Sequence, residues 1–266
     1  MRMRVHRNES PLKGRNILLN SPPHLNPPQN APPPQTHQTE IHGRFMRVAV
    51  LSSGGKDSAA AWWWAMCRGW DVSHLVTVRI TGGDSWMFQV PGTHLVEHQA
   101  KLAGVQWVEV HSEGKQELEI TDLETALSQL EIDGVVSGAL RSDYQKSRIE
   151  RMAERLNIKS WTPLWHQKSE SHMHGLIENG FDVFITGVSC EGLGKEWLGR
   201  TLNPSLLEEL EELAHRYRFN VDGEGGEYET LVTGGPHLPG SLQLTGSVNW
   251  DGVRGTFEIE SVHLIA

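Results

Sequence analysis

Six consecutive residues, Ser53-Gly54-Gly55-Lys56-Asp57-Ser58, do most to limit what this chain can fold into. The mainly apolar run Arg47-Val48-Ala49-Val50-Leu51-Ser52 precedes them, and the helix-forming run Ala59-Ala60-Ala61-Trp62-Trp63-Trp64-Ala65-Met66 follows. That order reads as strand, glycine turn, helix, the opening unit of a helix-covered parallel sheet. Adjacent glycines let backbone approach an anion closely, and a helix start presents unpaired N–H groups with positive dipole character. Lys56 and the hydroxyls of Ser52, Ser53 and Ser58 add donors. The whole stretch from Ser52 to Ser58 is therefore expected to cradle phosphate.

The pattern is not the Walker type, which needs G-x-x-x-x-G-K followed by Ser or Thr, nor the dinucleotide type G-x-G-x-x-G. Ser-Gly-Gly-Lys-Asp-Ser resembles instead the pyrophosphate loop (PP-loop) of the N-type ATP pyrophosphatases, which split ATP between its α- and β-phosphates. The resemblance implies an α/β fold whose parallel-sheet nucleotide-binding domain is of the adenine nucleotide alpha hydrolase (HUP-like) type.

Composition bounds the rest. A chain of 266 residues holds one large or two small domains. Residues 1–45 carry eight of the thirteen prolines and few large apolar side chains, so that segment is expected to be disordered. Met46, directly ahead of the first strand, is a candidate start of translation. The segment before it has six basic and two acidic side chains, net +4, and subtracting this from the −9 of the whole chain leaves −13 for residues 46–266. So acidic a body argues against broad electrostatic capture of nucleic acid. Two cysteines, Cys67 and Cys190, make no disulfide framework and no cysteine zinc site. No run has the apolar length of a membrane helix, and the expected location is cytoplasmic.

Beyond Met46, strand patterns at 47–52, 72–78, 105–110, 133–138, 158–162 and 181–186 alternate with helix patterns. Ser142 with Gln145 three residues on reads as a capping box opening one helix. Asn203-Pro204, cap then first-turn proline, opens another. Alternating residues at 242–249 and 256–264 read as C-terminal strands. The expected division is a PP-loop ATP-binding domain over 46–156 and a smaller substrate-binding α/β domain over 157–266, ending in those strands.

Ligands of open α/β sheets bind outside the carboxyl ends of the strands. The strand ending in Ser137-Gly138-Ala139 therefore feeds the same cleft, with Gly138 expected to let a ligand approach the backbone. Tyr144, Gln145 and Arg148 follow at the start of a helix, Tyr144 and Arg148 sharing one face. These residues, with Gly134 at the head of Gly-x-x-Ser-Gly-Ala, then Ser142-x-Tyr144-Gln145-x-x-Arg148-x-Glu150 and Pro163-Leu164-Trp165, resemble the diphthine–ammonia ligase family of ATP pyrophosphatases. So do Met87-Phe88 ahead of Pro91, Trp197-Leu198-Gly199-Arg200, and Gly223-Glu224-Gly225-Gly226-Glu227-Tyr228-Glu229-Thr230-Leu231-Val232. Gln89-Val90 departs from the His-Thr expected in many relatives.

That resemblance implies the last step of diphthamide synthesis: the carboxylate of diphthine, a modified histidine on translation elongation factor 2, becomes an amide at the expense of ATP, with ammonium as nitrogen donor. A carboxylate is a poor acyl donor, and attack on the α-phosphate converts it to an acyl-adenylate with loss of pyrophosphate. Ammonia then displaces AMP. The implied catalytic residues are Lys56, Asp57 and Arg148, with Tyr144, Gln145, Arg148, Trp165, Glu224, Glu227, Tyr228 and Glu229 toward the substrate. Lys56 holds the leaving pyrophosphate, as expected for chemistry driven by positioning and charge neutralisation. Asp57 reads either as a Mg2+ ligand, direct or through water, or as stabilisation of the helix N-terminus.

The segment holding Glu224, Glu227 and Glu229 reads as a flexible acidic loop. It binds a metal, ammonium or the trimethylammonio group of diphthine, with Tyr228, Tyr144 and Trp165 as ring partners, or is merely solvated. Trp62-Trp63-Trp64 reads as core packing. His166, His172 and His174 resemble a metal cluster only superficially, because the rings of His-x-His splay on a helix. Two other readings stand beside the ligase: another PP-loop adenylating enzyme such as a tRNA thiolase, and a non-catalytic adenine-nucleotide-binding module.

Overall fold

Strands inside a parallel sheet are covered on both faces and carry unbroken apolar runs, whereas half-exposed antiparallel strands alternate. Both patterns occur here, in separate parts of the chain. The computed structural model describes residues 40–41, 44–80, 93–113 and 118–266. After a two-residue pair, β1 (Glu40–Ile41) with β2 (Arg44–Phe45), comes β3 (Arg47–Leu51), whose last four residues are all buried. With β4 (Asp71–Ile80), β5 (Gln106–Ser112), β6 (Gly134–Val136) and β7 (Lys159–Trp161) it forms a parallel sheet in the order β5-β4-β3-β6-β7. Strand order reverses between β3's two neighbours, β4 and β6, which makes the carboxyl end of β3 a topological switch point.

The expected helices appear at their expected places. α1 (Lys56–Cys67) follows the glycine turn, and α2 (Val96–Ala103) closes on Gly104 in the left-handed region, φ 68°. α3 (Leu118–Leu127) and α4 (Asp143–Arg155) follow. Ser142 caps α4 by accepting the N–H of Gln145 at 3.3 Å, half of the capping box read from the sequence. α5 (Ser169–Glu178) precedes α6 (Pro204–Tyr217), which Asn203 caps by accepting the N–H of Leu206 at 2.9 Å.

The strand expected at 181–186 exists as β8 (Asp182–Val188), but it does not extend the parallel sheet. It runs antiparallel to β9 (Tyr228–Gly234), and these join β10 (Ser241–Trp250) and β11 (Gly255–Ile265) in a small closed barrel, order β10-β11-β8-β9. β11 alternates half-buried and exposed residues along most of its length, the mark of a one-sided strand. The physical reason for the correction is β9. It follows an acidic, glycine-rich segment that hides its strand pattern, and it supplies β8 with a nearby antiparallel partner. Residues 1–39, 42–43, 81–92 and 114–117 lie outside the described residues. The expected disorder of residues 1–45 therefore falls largely outside them, and the Met87-Phe88, Gln89-Val90 and Pro91 features fall wholly outside.

The tryptophan triplet packs as expected. Trp62 is 2% exposed, Trp63 meets Phe181 edge-on at 5.8 Å between ring centroids, and Trp64 meets Trp70 at 5.2 Å. His237 lies against both Trp62 (4.7 Å) and Phe181 (5.3 Å), and neither ring nitrogen has a hydrogen-bond partner among the described residues. Burial lowers its pKa from 6.5 to about 3. An unfolded chain protonates this imidazole near 6.5 while the folded one does not, so stability falls as pH drops through that window, by up to about 1.4 kcal/mol per pH unit. His237→Phe should flatten this dependence: the loss of Tm between about pH 7.5 and about pH 5 shrinks relative to the parent in thermal unfolding. An equal loss in both proteins refutes the assignment.

Candidate active site

The loop after β3 is folded by its own side chains and by the distant strand β9. Gly54 takes φ 83°, and a Cβ there would sit 3.1 Å from Leu231 Cδ1, so glycine is required for both reasons. Its carbonyl accepts the Val232 N–H (2.9 Å) and Gln99 Nε2 (3.1 Å). Gln99, 1% exposed, also donates to the Val232 carbonyl at 2.7 Å, so one buried amide clamps the loop to β9. The N–H groups of Gly54 and Gly55 point to the hydroxyls of Ser52 (3.2 Å) and Ser53 (3.4 Å), and Ser58 Oγ donates to the Gly55 carbonyl. The Lys56 N–H donates to Thr230 Oγ1 at 3.2 Å. The loop's conformation is thus set jointly by the parallel sheet and the barrel.

The loop, the segment after β6 and β9 line a cleft of about 350 Å³, within the size range of small-molecule sites. Ser52, Ser53, Gly55, Lys56, Asp57, Ser58 and Gly138 all line it, with Gln145, Glu224, Tyr228 and Glu229 from the expected substrate set. Gly54 stands just behind, holding the turn. Gly138 lines the cavity and has a second role besides. A Cβ there would lie 2.6 Å from the carbonyl of Asp57, so the close approach it permits is to the first turn of α1.

Lys56 is nearly buried, and its Nζ lies 3.0 Å from Asp57 Oδ2 and 5.6 Å from the centroid of the Tyr228 ring. Asp57 Oδ1 meets Nε2 of the fully buried His172 at 2.8 Å. Burial raises the Asp57 pKa, but the Lys56 ammonium and the His172 contact outweigh it, and the net shift is downward. Each carboxylate oxygen thus has a partner within the protein, so Asp57 does more than stabilise the helix N-terminus. His172 holds Asp57, and Asp57 holds Lys56 in the cavity. Sequence reasoning weighed His172 only as a zinc ligand; no spacing signal ties residue 172 to residue 57. His174, two positions on, instead pairs with Glu211 at 2.9 Å.

The acidic segment is shorter and better ordered than expected. Tyr228 and Glu229 belong to β9, and Tyr228, 3% exposed, donates its hydroxyl to the Val221 carbonyl at 2.6 Å. Glu224 accepts the Arg141 N–H at 3.2 Å. Arg141 is a junction the sequence reading passed over. Its guanidinium pairs with Asp222, which is 0% exposed, and donates to the Gln167 carbonyl (3.1 Å) and Ser169 Oγ (3.2 Å). Burial raises the Glu224 pKa, and the Asp57 charge adds to the rise.

Four expected site residues are not part of the cavity wall. Arg148 stacks on Tyr144, guanidinium carbon 3.5 Å from the ring centroid, and Tyr144 packs against the core beneath α3 and α4. Trp165 meets His166 edge-on and carries Lys146 Nζ at 5.2 Å. Glu227 accepts the N–H and Nδ2 of Asn220, both at 2.9 Å. On a helix, Gln145 and Ile149 face the cavity while their neighbours 144 and 148 turn aside.

A glycine turn at the switch point of a parallel sheet, followed by a buried lysine at the start of a helix, is the arrangement of a nucleotide-binding α/β protein. Residues 46–160 match the family model described as diphthamide synthase N-terminal domain, and residues 168–265 match the diphthamide synthase C-terminal domain. The chain belongs to the diphthamide synthase family, whose named relatives are diphthine–ammonia ligases, ATP-dependent ligases. It is 32% identical over 213 residues to diphthine–ammonia ligase of Rattus norvegicus, covering 70% of this chain and 78% of that one. With the Homo sapiens protein of the same name it shares 30% over 210 residues, with the same coverage. A solved structure described as a predicted subunit of tRNA methyltransferase from Methanocaldococcus jannaschii is 21% identical with a TM-score of 0.43, covering 72% of this chain and 98% of its own. So distant a likeness has no bearing on function.

Proposed function

We propose that this protein uses ATP to convert the diphthine carboxylate of translation elongation factor 2 to the diphthamide amide, releasing AMP and pyrophosphate. The observation that carries this reading is the joint construction of the phosphate loop. β9, from the segment that resembles diphthine–ammonia ligases, fixes the loop through Thr230 and Val232 and lines the same cavity with Tyr228 and Glu229. In the reaction, the loop hydroxyls and Lys56 bind the β- and γ-phosphates and take up the charge that develops as pyrophosphate leaves. Incubation with unamidated elongation factor, ATP, magnesium and ammonium, followed by intact-mass analysis, should show carboxylate-to-amide conversion matched by AMP. Production of ADP and orthophosphate refutes it.

Among the described residues the cavity wall presents the ammonium group of Lys56 against three carboxylates, Asp57, Glu224 and Glu229. A polyphosphate is itself strongly anionic, so the donor set fits ATP only with a counter-cation, and Mg2+ supplies it. Because both Asp57 oxygens are engaged, a water-bridged contact suits Asp57 better than direct ligation. Among the described residues no helix is long and apolar enough to cross a membrane, and a cytoplasmic location is part of this proposal.

A thiolase reading is disfavoured by its cysteines. Cys67 is exposed, and burial with the Glu227 charge pushes the Cys190 thiol up to about 11, so it stays protonated at neutral pH. Neither lines the cavity. Amidation is therefore expected to persist within about twofold in a Cys67→Ser/Cys190→Ala double variant, measured by the same mass assay. A loss beyond tenfold in a folded variant would favour thiol chemistry.

A further inference from the structure

The three carboxylates of the cavity are not equivalent. Asp57 is engaged by Lys56 and His172, and Glu224 by the Arg141 N–H. Glu229 lies on β9 beside Thr230, the residue that fixes the start of α1, and no hydrogen bond to its carboxylate occurs among the described residues. Its register partner on β8 is Gly187, where an added Cβ would stand 3.2 Å from Glu229 Cβ, so the stem packs on bare backbone and the carboxylate faces the cavity. Burial raises its pKa to about 7, with Lys56 opposing the shift and Asp57 adding to it. A half-buried carboxylate with no donor at hand favours either a small cation or a proton.

The ligation needs both in turn. Ammonium is the charged form in solution, yet only ammonia carries the lone pair that attacks carbonyl carbon. Proton transfer from ammonium to a half-buried carboxylate replaces two charges by two neutral groups, which partial loss of water around the pair favours. We propose that Glu229 binds ammonium inside the cavity and removes one proton from it, delivering ammonia to the activated carbonyl; the proposal rests on the ligase reading above. The nitrogen lone pair forms the C–N bond as the C–O bond to the adenylate breaks, and AMP leaves with the bonding pair. The new nitrogen then loses a proton to water, giving the neutral amide, and Glu229 returns its own proton to solvent.

The test uses the full chain with Glu229→Gln, which keeps the shape and removes the base, and Glu229→Asp, which keeps the base on a shorter stem. Three quantities are measured with unamidated elongation factor, ATP and magnesium: exchange of labelled pyrophosphate into ATP, amide formation with ammonium, and hydroxamate formation with hydroxylamine, whose nitrogen is unprotonated near neutral pH. In Glu229→Gln, amide formation should fall by about a hundredfold or more, while exchange and hydroxamate formation stay within about threefold. Glu229→Asp should recover part of the amide rate. Equal losses with both nucleophiles overturn the proposal, and so does loss of exchange, which would assign Glu229 to the adenylation step. Absence of exchange in the parent protein overturns the ligase reading itself, and the assignment of Glu229 falls with it.

Discussion

Lys56→Ala should lower AMP formation by about a hundredfold or more, a loss of about 3–4 kcal/mol in the transition state. The side chain sits at the N-terminus of α1 and is only 5% exposed, so its ammonium acts on developing charge more strongly than one in bulk solvent. Its position is set from behind by Asp57, which His172 holds in turn. The variant loses the cation that neutralises the leaving pyrophosphate, and it also leaves Asp57 without its main compensating charge. Single-turnover measurement of AMP with saturating ATP checks this. Near-normal turnover would remove Lys56 from the mechanism and leave the loop a structural turn.

The second large effect concerns Arg141. Removing one member of a buried ion pair leaves the other charge uncompensated, at a cost of about 3–5 kcal/mol. Asp222 is 0% exposed while the Arg141 side chain is 31% exposed, so the lower end, about 3 kcal/mol, applies to Arg141→Met. Thermal unfolding should then show Tm lower by roughly 6–12 °C. The same change frees the loop that presents Glu224 to the cavity, so KM for ATP should rise. Adding Asp222→Asn removes the stranded charge and should restore part of the stability, a coupling that two independent sites would not show. An unchanged Tm in Arg141→Met would mean that the pair contributes nothing to holding the loop.

Much of the fold was legible because local chemistry and final structure agree. The unbroken apolar run of β3 announces a central parallel strand, and the caps at Ser142 and Asn203 start helices where their side chains meet free N–H groups. The turn after β3 was legible for the same reason: adjacent glycines between strand and helix leave few alternatives. β9 was not. Its sequence Tyr228-Glu229-Thr230 reads as the tail of an acidic loop, and only pairing with β8 and contact with the phosphate loop make it a strand. Arg148 and Tyr144 were misplaced because one helical position separates the cavity face of α4 from its flank.

By itself the sequence determined the class of sheet and the position of the glycine turn between its first strand and first helix. These depend on backbone conformation and capping, which act over a few neighbouring residues. Tertiary structure alone decided which carboxylates share the cavity, that His172 supports Asp57 from 115 positions away, and that Gly138 packs on a helix as well as lining the site. Those facts depend on contacts between elements distant along the chain, and the closing of the barrel on the loop is what brings them together.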